Sequence, residues 1–316
     1  MSAGKIVVTG ASGFLGRHLV PVLHNTYGKE NVLSFSSRDY DLMDIRQTEK
    51  MVSETKPDVL IHLAALSGGI SDNRERPADF YFKNTILTAN VFETAARGGV
   101  KKMIYTMGGC SYPNKAVSPI GEDQMWNGFP NEISAGYACA KKMGIVAGDC
   151  YKKQYGMKTT ILVPGNMYGE YDNYHLTASH VIPGLIRRFH EACLKKENTV
   201  TVWGSGKPER DFVYAGDVAA VFPFFIDNDN EFGPVNVSSG TNATIKELAE
   251  IIAELTGFMG KIEWDTSKPD GQKIKIFKVE KLRSLGLRCP TSIRDGLKKT
   301  IDWFAANYSK KGAVRL

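Results

Sequence analysis

Tyr137 and Lys141 stand four residues apart in Tyr137-Ala138-Cys139-Ala140-Lys141, one turn along a single helix face. An ammonium beside a phenol stabilises tyrosinate, so the pair can give a proton to a carbonyl oxygen or take one from a hydroxyl. Ordinary surface helices carry the same spacing, and a second motif far upstream gives it chemical weight. Gly10-Ala11-Ser12-Gly13-Phe14-Leu15-Gly16 follows a β-branched run at 5–9 and opens a segment with apolar residues at Leu15, Leu19 and Leu23. In that strand-turn-helix setting Gly10 allows the tight turn. Gly13 lets a pyrophosphate approach the backbone, and Gly16 lets helix and strand pack closely. The helix N-terminus at Ser12, Phe14 and Leu15 supplies free N–H groups. The alternative for this segment is a tight turn and no more.

The end of the second strand separates NAD from NADP, because a carboxylate there bonds the ribose 2′-OH and repels a 2′-phosphate. Here it reads Ser34-Phe35-Ser36-Ser37-Arg38, hydroxyls and an arginine, which suits the phosphate and favours NADP(H). Arg38 is otherwise a solvated charge, and Asp39 beside it works against the reading. Asp44 either accepts from an adenine amino group or caps the helix that follows. Leu63-Ala64-Ala65 closes the third strand with small residues that would let an ADP-ribose lie on the backbone; simple packing is the other explanation.

To position these residues the chain alternates strands and helices. Strands are expected at 32–35, 59–63, 102–107 and 158–163, and helices at 47–54, 82–96 and 138–155. That order implies an α/β fold with a Rossmann-like, doubly wound parallel sheet over residues 1–165, with contributions from about 210–240. Beyond Pro164 the texture changes to short strands at 200–203, 212–213 and 235–237 with helices at 182–194 and 245–254. Residues 166–316 therefore read mainly as a smaller mixed α/β substrate lobe closing over the carboxyl edge of the sheet.

The 40 Lys and Arg exceed the 34 Asp and Glu by a net +6, but they are scattered, which favours a small anionic ligand over nucleic acid. No stretch approaches the ~18 apolar residues of a membrane span, nor does the start carry an apolar leader, so the expectation is a cytoplasmic chain without a membrane partner. Five cysteines without a C-x-x-C pair and six histidines without ligand spacing point to reduced thiols and no metal.

Nearly the whole chain resembles the extended short-chain dehydrogenase/reductases, and more closely the GDP-L-fucose synthase family. The resemblance rests on GASGFLG, HLAALSGGI at 62–70, PADF at 77–80, CSYP at 110–113, YACAK, PGNMYGEYDNYH at 164–175, SHVIPGLIRRFH at 179–190, VWGSGKPERDFVY at 202–214 and SKPDG at 267–271. It implies a 3,5-epimerase and 4-reductase acting on GDP-4-keto-6-deoxy-D-mannose. A 4-ketone acidifies the hydrogens on both neighbouring carbons, and the family's acid/base pair maps onto Cys110 and His180. Hydride to C4 and a proton from Tyr137 would then complete the reduction, with Lys141 steadying the nicotinamide ribose and His180 also at the cofactor. Asn166, Arg188, Trp203, Arg210 and Asp270 map to substrate contacts with sugar, diphosphate and base. A solvated helix face for Arg188, a core position for Trp203 and an Arg210–Asp217 ion pair are the structural alternatives. The family also implies a homodimer through the helices at 82–96 and 138–155.

The chain departs from the family pattern at one conspicuous place. A Ser or Thr stands two residues before the cysteine in the family, where it donates to the substrate carbonyl; here Met107-Gly108-Gly109-Cys110 puts Gly108 there. Thr106 lies about 7 Å further back and Ser111 should point the other way. Gly165, where the family has threonine, reads as a second enlargement of the same pocket and a hint of a bulkier sugar. Gly108 also motivates two other readings, an epimerase with little net reduction or a different 4-keto sugar, and a non-catalytic dinucleotide sensor.

Overall fold

Strands with apolar residues on both faces need cover on both sides, and helices that alternate with them in sequence provide it. The computed structural model describes residues 4–268 and 270–316. Its first half runs β1 (Ile6–Thr9), α1 (Phe14–Tyr27), β2 (Val32–Phe35), α2 (Ile45–Thr55), β3 (Val59–His62), α3 (Ile70–Glu75), α4 (Pro77–Arg97), β4 (Lys102–Thr106), α5 (Ala135–Tyr155) and β5 (Lys158–Pro164). The second half adds β6 (Asn166–Tyr168), α6 (Val181–Lys195), β7 (Thr199–Trp203), β8 (Glu209–Tyr214), α7 (Ala215–Ala220), α8 (Phe222–Asp227), β9 (Pro234–Val237) and β10 (Asn242–Thr244). It ends with α9 (Ile245–Thr256), β11 (Lys261–Asp265), β12 (Ile274–Lys275), α10 (Glu280–Ser284) and α11 (Ile293–Asn307).

The main sheet has the order β2-β1-β3-β4-β5-β9, every pair parallel. Strand order therefore reverses between β1 and β3, which opens a crevice outside their carboxyl ends. Alternation along each strand splits the core: Ile6 and Val8 pack with Leu15, Leu19 and Leu23 of α1, whereas Val7 and Leu60 pack with Val91 and Phe92 of α4. Each such side chain, fully buried, contributes roughly 1.5–3 kcal/mol. The strand expected at 235–237 becomes β9 and extends this sheet beside β5.

Helices α7 and α8 pack on the first-half core through Val218, Phe222 and Phe225, while α6, α9 and α11 build a separate one. Leu185, Ile186 and Phe189 of α6, Leu248 and Ile252 of α9 and Leu297, Ile301 and Phe304 of α11 pack against Val200 and Val202 of β7. The strand expected at 212–213 extends to six residues, because β8 is paired by β6, β10 and β12 together. The segment at 82–96 likewise begins earlier, with Pro77 in the first turn of α4, a position where the missing N–H costs nothing.

Candidate active site

The dinucleotide turn is built by close approach. Gly10 has φ +70, and a Cβ on it would lie 2.6 Å from the backbone nitrogen of Ala64, so turn and Leu63–Ala65 segment touch backbone to backbone. A Cβ on Gly16 would fall 2.5 Å from the Gly10 carbonyl oxygen, which fixes helix on turn. Gly13 caps α1 without any side-chain hydrogen bond, leaving the N–H groups of Phe14, Leu15 and Gly16 directed at the crevice. Ser12 is exposed, and its carbonyl accepts from Arg17 Nε at 3.1 Å. These features fit a nicotinamide dinucleotide: the glycines let the turn close tightly, and the free N–H groups at the start of α1 suit a pyrophosphate.

At the end of β2, Asp39 turns back on Ser36, accepting from its N–H at 2.7 Å and its hydroxyl at 2.8 Å, and these bonds hold its carboxyl below the ordinary value. Arg38 is exposed and has no acidic partner among the described residues. Asp44 is the N-cap of α2, accepting from Arg46 N–H at 2.9 Å, so of its two readings the structure displays the cap. Beneath the crevice, buried His62 bonds Thr9 Oγ1 through Nδ1 at 2.8 Å and stacks on Tyr105.

Tyr137 and Lys141 reach the carboxyl edge because α5 lies unusually close to the sheet. A side chain at Gly144 would collide with the Tyr105 ring. Lys141 is buried, with Nζ 4.1 Å from the centre of that ring, and burial pulls its ammonium down to about 7. The electrostatic expectation for Tyr137 needs correcting. Burial pushes the phenol up, and the Cys110 thiol and the Tyr105 phenol add to the rise. Without a cofactor, then, the site holds a proton-bearing phenol, the form that donates to a carbonyl oxygen.

Cys110 sits in a 3-10 turn, Gly109–Ser111, just past β4. A Cβ placed on Gly108 would lie 3.3 Å from Cys110 Sγ, 3.5 Å from Tyr137 Cε1 and 3.8 Å from the Tyr137 hydroxyl. Thiol and phenol therefore face one common point. Thr106 Oγ1 donates to the His62 carbonyl, and buried Ser111 donates to the Ala138 carbonyl, so neither hydroxyl replaces the missing one. Burial pushes the Cys110 thiol up.

His180 is the exposed N-cap residue of α6, and no side-chain hydrogen bond is made there. Its loop docks beside β3: Gly69 N–H bonds the Ala178 carbonyl, and a Cβ on Gly69 would fall 2.9 Å from the Ser179 carbonyl oxygen. Behind this loop lies Asp172, buried, with Oδ2 lacking a partner and its carboxyl raised to about 6 by desolvation against the opposing charge of His180.

Arg188, Trp203 and Arg210 gather at the ends of β7 and β8. The Arg188 guanidinium lies 5.3 Å from the Trp203 ring centre and donates to the Thr201 carbonyl at 3.2 Å. Lys268 covers the same ring at 5.8 Å. Trp203 is 55% exposed, which excludes the core position. Arg210 donates to its neighbour's carbonyl, while Asp217 accepts from Thr291 N–H and hydroxyl at 2.7 Å each, so the Arg210–Asp217 ion pair is not formed. Asp270 accepts from Ser205 N–H at 2.6 Å and its hydroxyl at 2.7 Å, clamping the loop after β7. Asn166 Nδ2 donates to the Asp211 carbonyl at 2.8 Å.

The enlargement read at Gly165 is absent. A side chain there would overlap the Ser238 hydroxyl, and one at Gly109 would overlap the Phe277 ring. Of Gly108, Gly109 and Gly165, Gly108 has the most room, with Cys110 Sγ 3.3 Å from a Cβ placed there. Sequence reasoning also missed Asp211, whose buried carboxylate accepts from Ser238 and Ser239 hydroxyls at 2.7 and 2.8 Å and so joins β8 to the chain after β9. Its signal was faint, because Asp211 follows two other charged residues, Glu209 and Arg210, in the same strand.

A glycine turn at the reversal point of a parallel sheet, with a Tyr/Lys helix two strands away, defines an extended short-chain dehydrogenase/reductase. The NAD dependent epimerase/dehydratase family model matches residues 6–238. Putative GDP-L-fucose synthase 2 of Arabidopsis thaliana is 39% identical, over 98% of this chain and 94% of that protein. The GDP-L-fucose synthase of Escherichia coli (strain K12) is 34% identical, over 98% and 99%. A solved GDP-L-fucose synthetase from Naegleria fowleri bound to NADP superposes with a TM-score of 0.89 at 29% identity, covering all of this chain and 96% of that one. The chain belongs to the NAD dependent epimerase/dehydratase family and, within it, to the GDP-L-fucose synthase family. It is an epimerase/reductase that uses a nicotinamide cofactor. No helix among the described residues is long and apolar enough to cross a membrane.

Proposed function

We propose that this enzyme converts GDP-4-keto-6-deoxy-D-mannose to GDP-L-fucose with NADPH, and that Cys110, His180, Tyr137 and Lys141 carry the chemistry. The observation that supports it most is the convergence of the Cys110 thiol and the Tyr137 hydroxyl on the point beside Gly108. A ketone oxygen in the space in front of Gly108, within reach of the Tyr137 hydroxyl, receives the phenol's hydrogen bond while the thiolate lies next to the acidic C–H. Cys110 removes a proton from C3 or C5, negative charge moves to the C4 oxygen against Tyr137, and His180 returns a proton to the opposite face. Bound NADPH supplies the hydride that reduces C4. Tyr137 gives its proton to the resulting oxygen, and the Lys141 ammonium stabilises the tyrosinate left behind.

For the cofactor, Gly10 to Gly16 take the pyrophosphate, Arg38 the 2′-phosphate, Asp44 the adenine edge, and Leu63, Ala64 and Ala65 the backbone-facing ADP-ribose. Asp39 remains an ionised carboxylate held on Ser36, so the preference for NADP over NAD rests on the exposed Arg38 guanidinium at the end of β2. Arg188, Trp203 and Arg210 take the GDP end, where cations beside an exposed indole suit a diphosphate and a stacking base. Asn166 takes a sugar oxygen, and Asp270 shapes the base pocket. In this reading residues 1–165, with part of 210–240 through β9, hold the cofactor, and 166–316 mainly hold the sugar nucleotide.

We further propose a cytoplasmic homodimer paired through α4 and α5. Phe82 on α4 and Met143 and Val146 on α5 are 57%, 46% and 42% exposed, and water-facing apolar side chains on two long helices favour pairing. The test of the function is consumption of NADPH against NADH on GDP-4-keto-6-deoxy-D-mannose, with chromatographic identification of the product. Stoichiometric NADPH loss with a product matching GDP-L-fucose is expected. Isomers formed without NADPH loss would overturn it.

A further inference from the structure

β12 is only two residues long, parallel to β8, with Lys275 opposite Arg210. Two residues on, buried Phe277 bridges to Ile120 and fills the space at Gly109 with its ring. Side chains alternate along extended chain, so Lys275 shares the face of Phe277, the face turned to the Gly109–Cys110 turn. Lys275 is half-buried and makes no hydrogen bond or ion pair among the described residues. Arg210 beside it carries the same charge. An unpaired lysine withdrawn from water at such a place is unfavourable unless a group of opposite charge forms next to it.

We propose that Lys275 is the proton partner of Cys110: its amine accepts the thiol proton, the S–H bond breaks as an N–H bond forms, and a thiolate–ammonium pair of unchanged net charge results. The pair rests on the reading of Cys110 as the epimerisation base only for its purpose, not for its existence. Burial raises the thiol and lowers the Lys275 ammonium, and each is the largest charge acting on the other against that trend. Lys141 of α5 assists the thiolate more weakly, Tyr137 of α5 faces it across Gly108, and Arg210 of β8 pushes Lys275 towards its neutral form. Thiol and amine titrate as one coupled system, in which neutral Lys275 is the acceptor that a buried thiol otherwise lacks.

The experiment is iodoacetamide alkylation of Cys110 in the full, cofactor-free chain from pH 5.5 to 10, read by peptide mass spectrometry so that the other four cysteines do not interfere. Lys275→Met is expected to slow Cys110 alkylation at pH 7 roughly tenfold or more and to move its midpoint up by at least about one unit. Lys275→Arg keeps a positive charge but cannot accept a proton, so its rate at pH 7 should stay closer to that of Lys275→Met than to wild type; full rescue by Arg overturns the proton transfer in favour of charge alone. Unchanged alkylation in Lys275→Met overturns the pairing. So does a variant whose only defect is a higher KM for the GDP-sugar, the mark of a diphosphate contact. If Cys110→Ala retains C3 and C5 exchange while the alkylation shift is present, the pairing stands and the assignment of Cys110 as base falls.

Discussion

Gly108 stands where the family resemblance implies a Ser or Thr, and restoring a hydroxyl there tests how the ketone oxygen is held. Gly108 has φ −100 and ψ 152, extended backbone that any L-residue adopts. A Ser Cβ would sit 3.3 Å from Cys110 Sγ, so the thiol must give by a few tenths of an ångström, at about 1 kcal/mol. Losing a glycine returns roughly 0.4–1 kcal/mol through the unfolded chain, so stability stays nearly level. From a Cβ 3.8 Å from the Tyr137 hydroxyl, the serine Oγ reaches the same ketone oxygen that the phenol contacts. One donor to a developing oxyanion is worth about 10²–10³ in rate; with Tyr137 already present, Gly108→Ser should raise kcat roughly 10- to 100-fold. Because C4 oxygen bears the charge in both enolate and alkoxide, deuterium exchange at C3 and C5 should rise together with NADPH oxidation. Gly108→Ala, which adds the bulk and no donor, should gain neither. Equal effects of Ser and Ala, or a folded Ser variant slower than the parent, would refute the view that Tyr137 is the sole side-chain donor.

Arg38→Ala should raise KM for NADPH roughly 10- to 100-fold, the worth of a charge-assisted bond to phosphate, and leave KM for NADH within about twofold; equal changes for both cofactors would remove Arg38 from the site. Lys141 stands near 7 in the empty chain, so if its ammonium binds the cofactor, affinity should fall about tenfold per pH unit above that value; a flat profile in titration calorimetry from pH 7 to 9 contradicts the role. Asp172 is a carboxyl raised from 3.8 to about 6, so its burial favours the fold below about pH 4, and that favour is lost as pH rises through 6. Asp172→Asn should therefore add up to about 3 kcal/mol to denaturant-measured stability at pH 8 and almost nothing at pH 4. A gain independent of pH would show that the ionised carboxylate is not what the fold resists.

The cofactor half of the site was legible because local rules build it. Gly10 needs its positive φ and Gly16 its contact with the Gly10 carbonyl, both within one strand-turn-helix, and Tyr137 and Lys141 share a helix face through periodicity alone. What reading residues in line could not supply depends on remote pairing. Gly165 looked like an enlarged pocket because Ser238, which fills it, comes from the far end of β9. Lys275 sat unnoticed in a polar stretch, since a two-residue strand has no periodicity of its own and exists only because β8 offers it an edge. Tyr137 was expected to ionise more easily beside Lys141, yet burial outweighs a charge that lies over the Tyr105 ring. Asp44 shows the reverse case, where the plain capping rule described the observed contact.

The central claim is that one ketone oxygen, held by Tyr137 between Cys110 and the cofactor, serves both epimerisation and reduction. Its most direct test is turnover of GDP-4-keto-6-deoxy-D-mannose with NADPH in deuterated buffer, with product analysed for deuterium at each carbon. Solvent deuterium is expected at both C3 and C5 of every reduced product, lost from both in Cys110→Ala, with one NADPH oxidised per molecule. Reduced product carrying no deuterium at either carbon would contradict it.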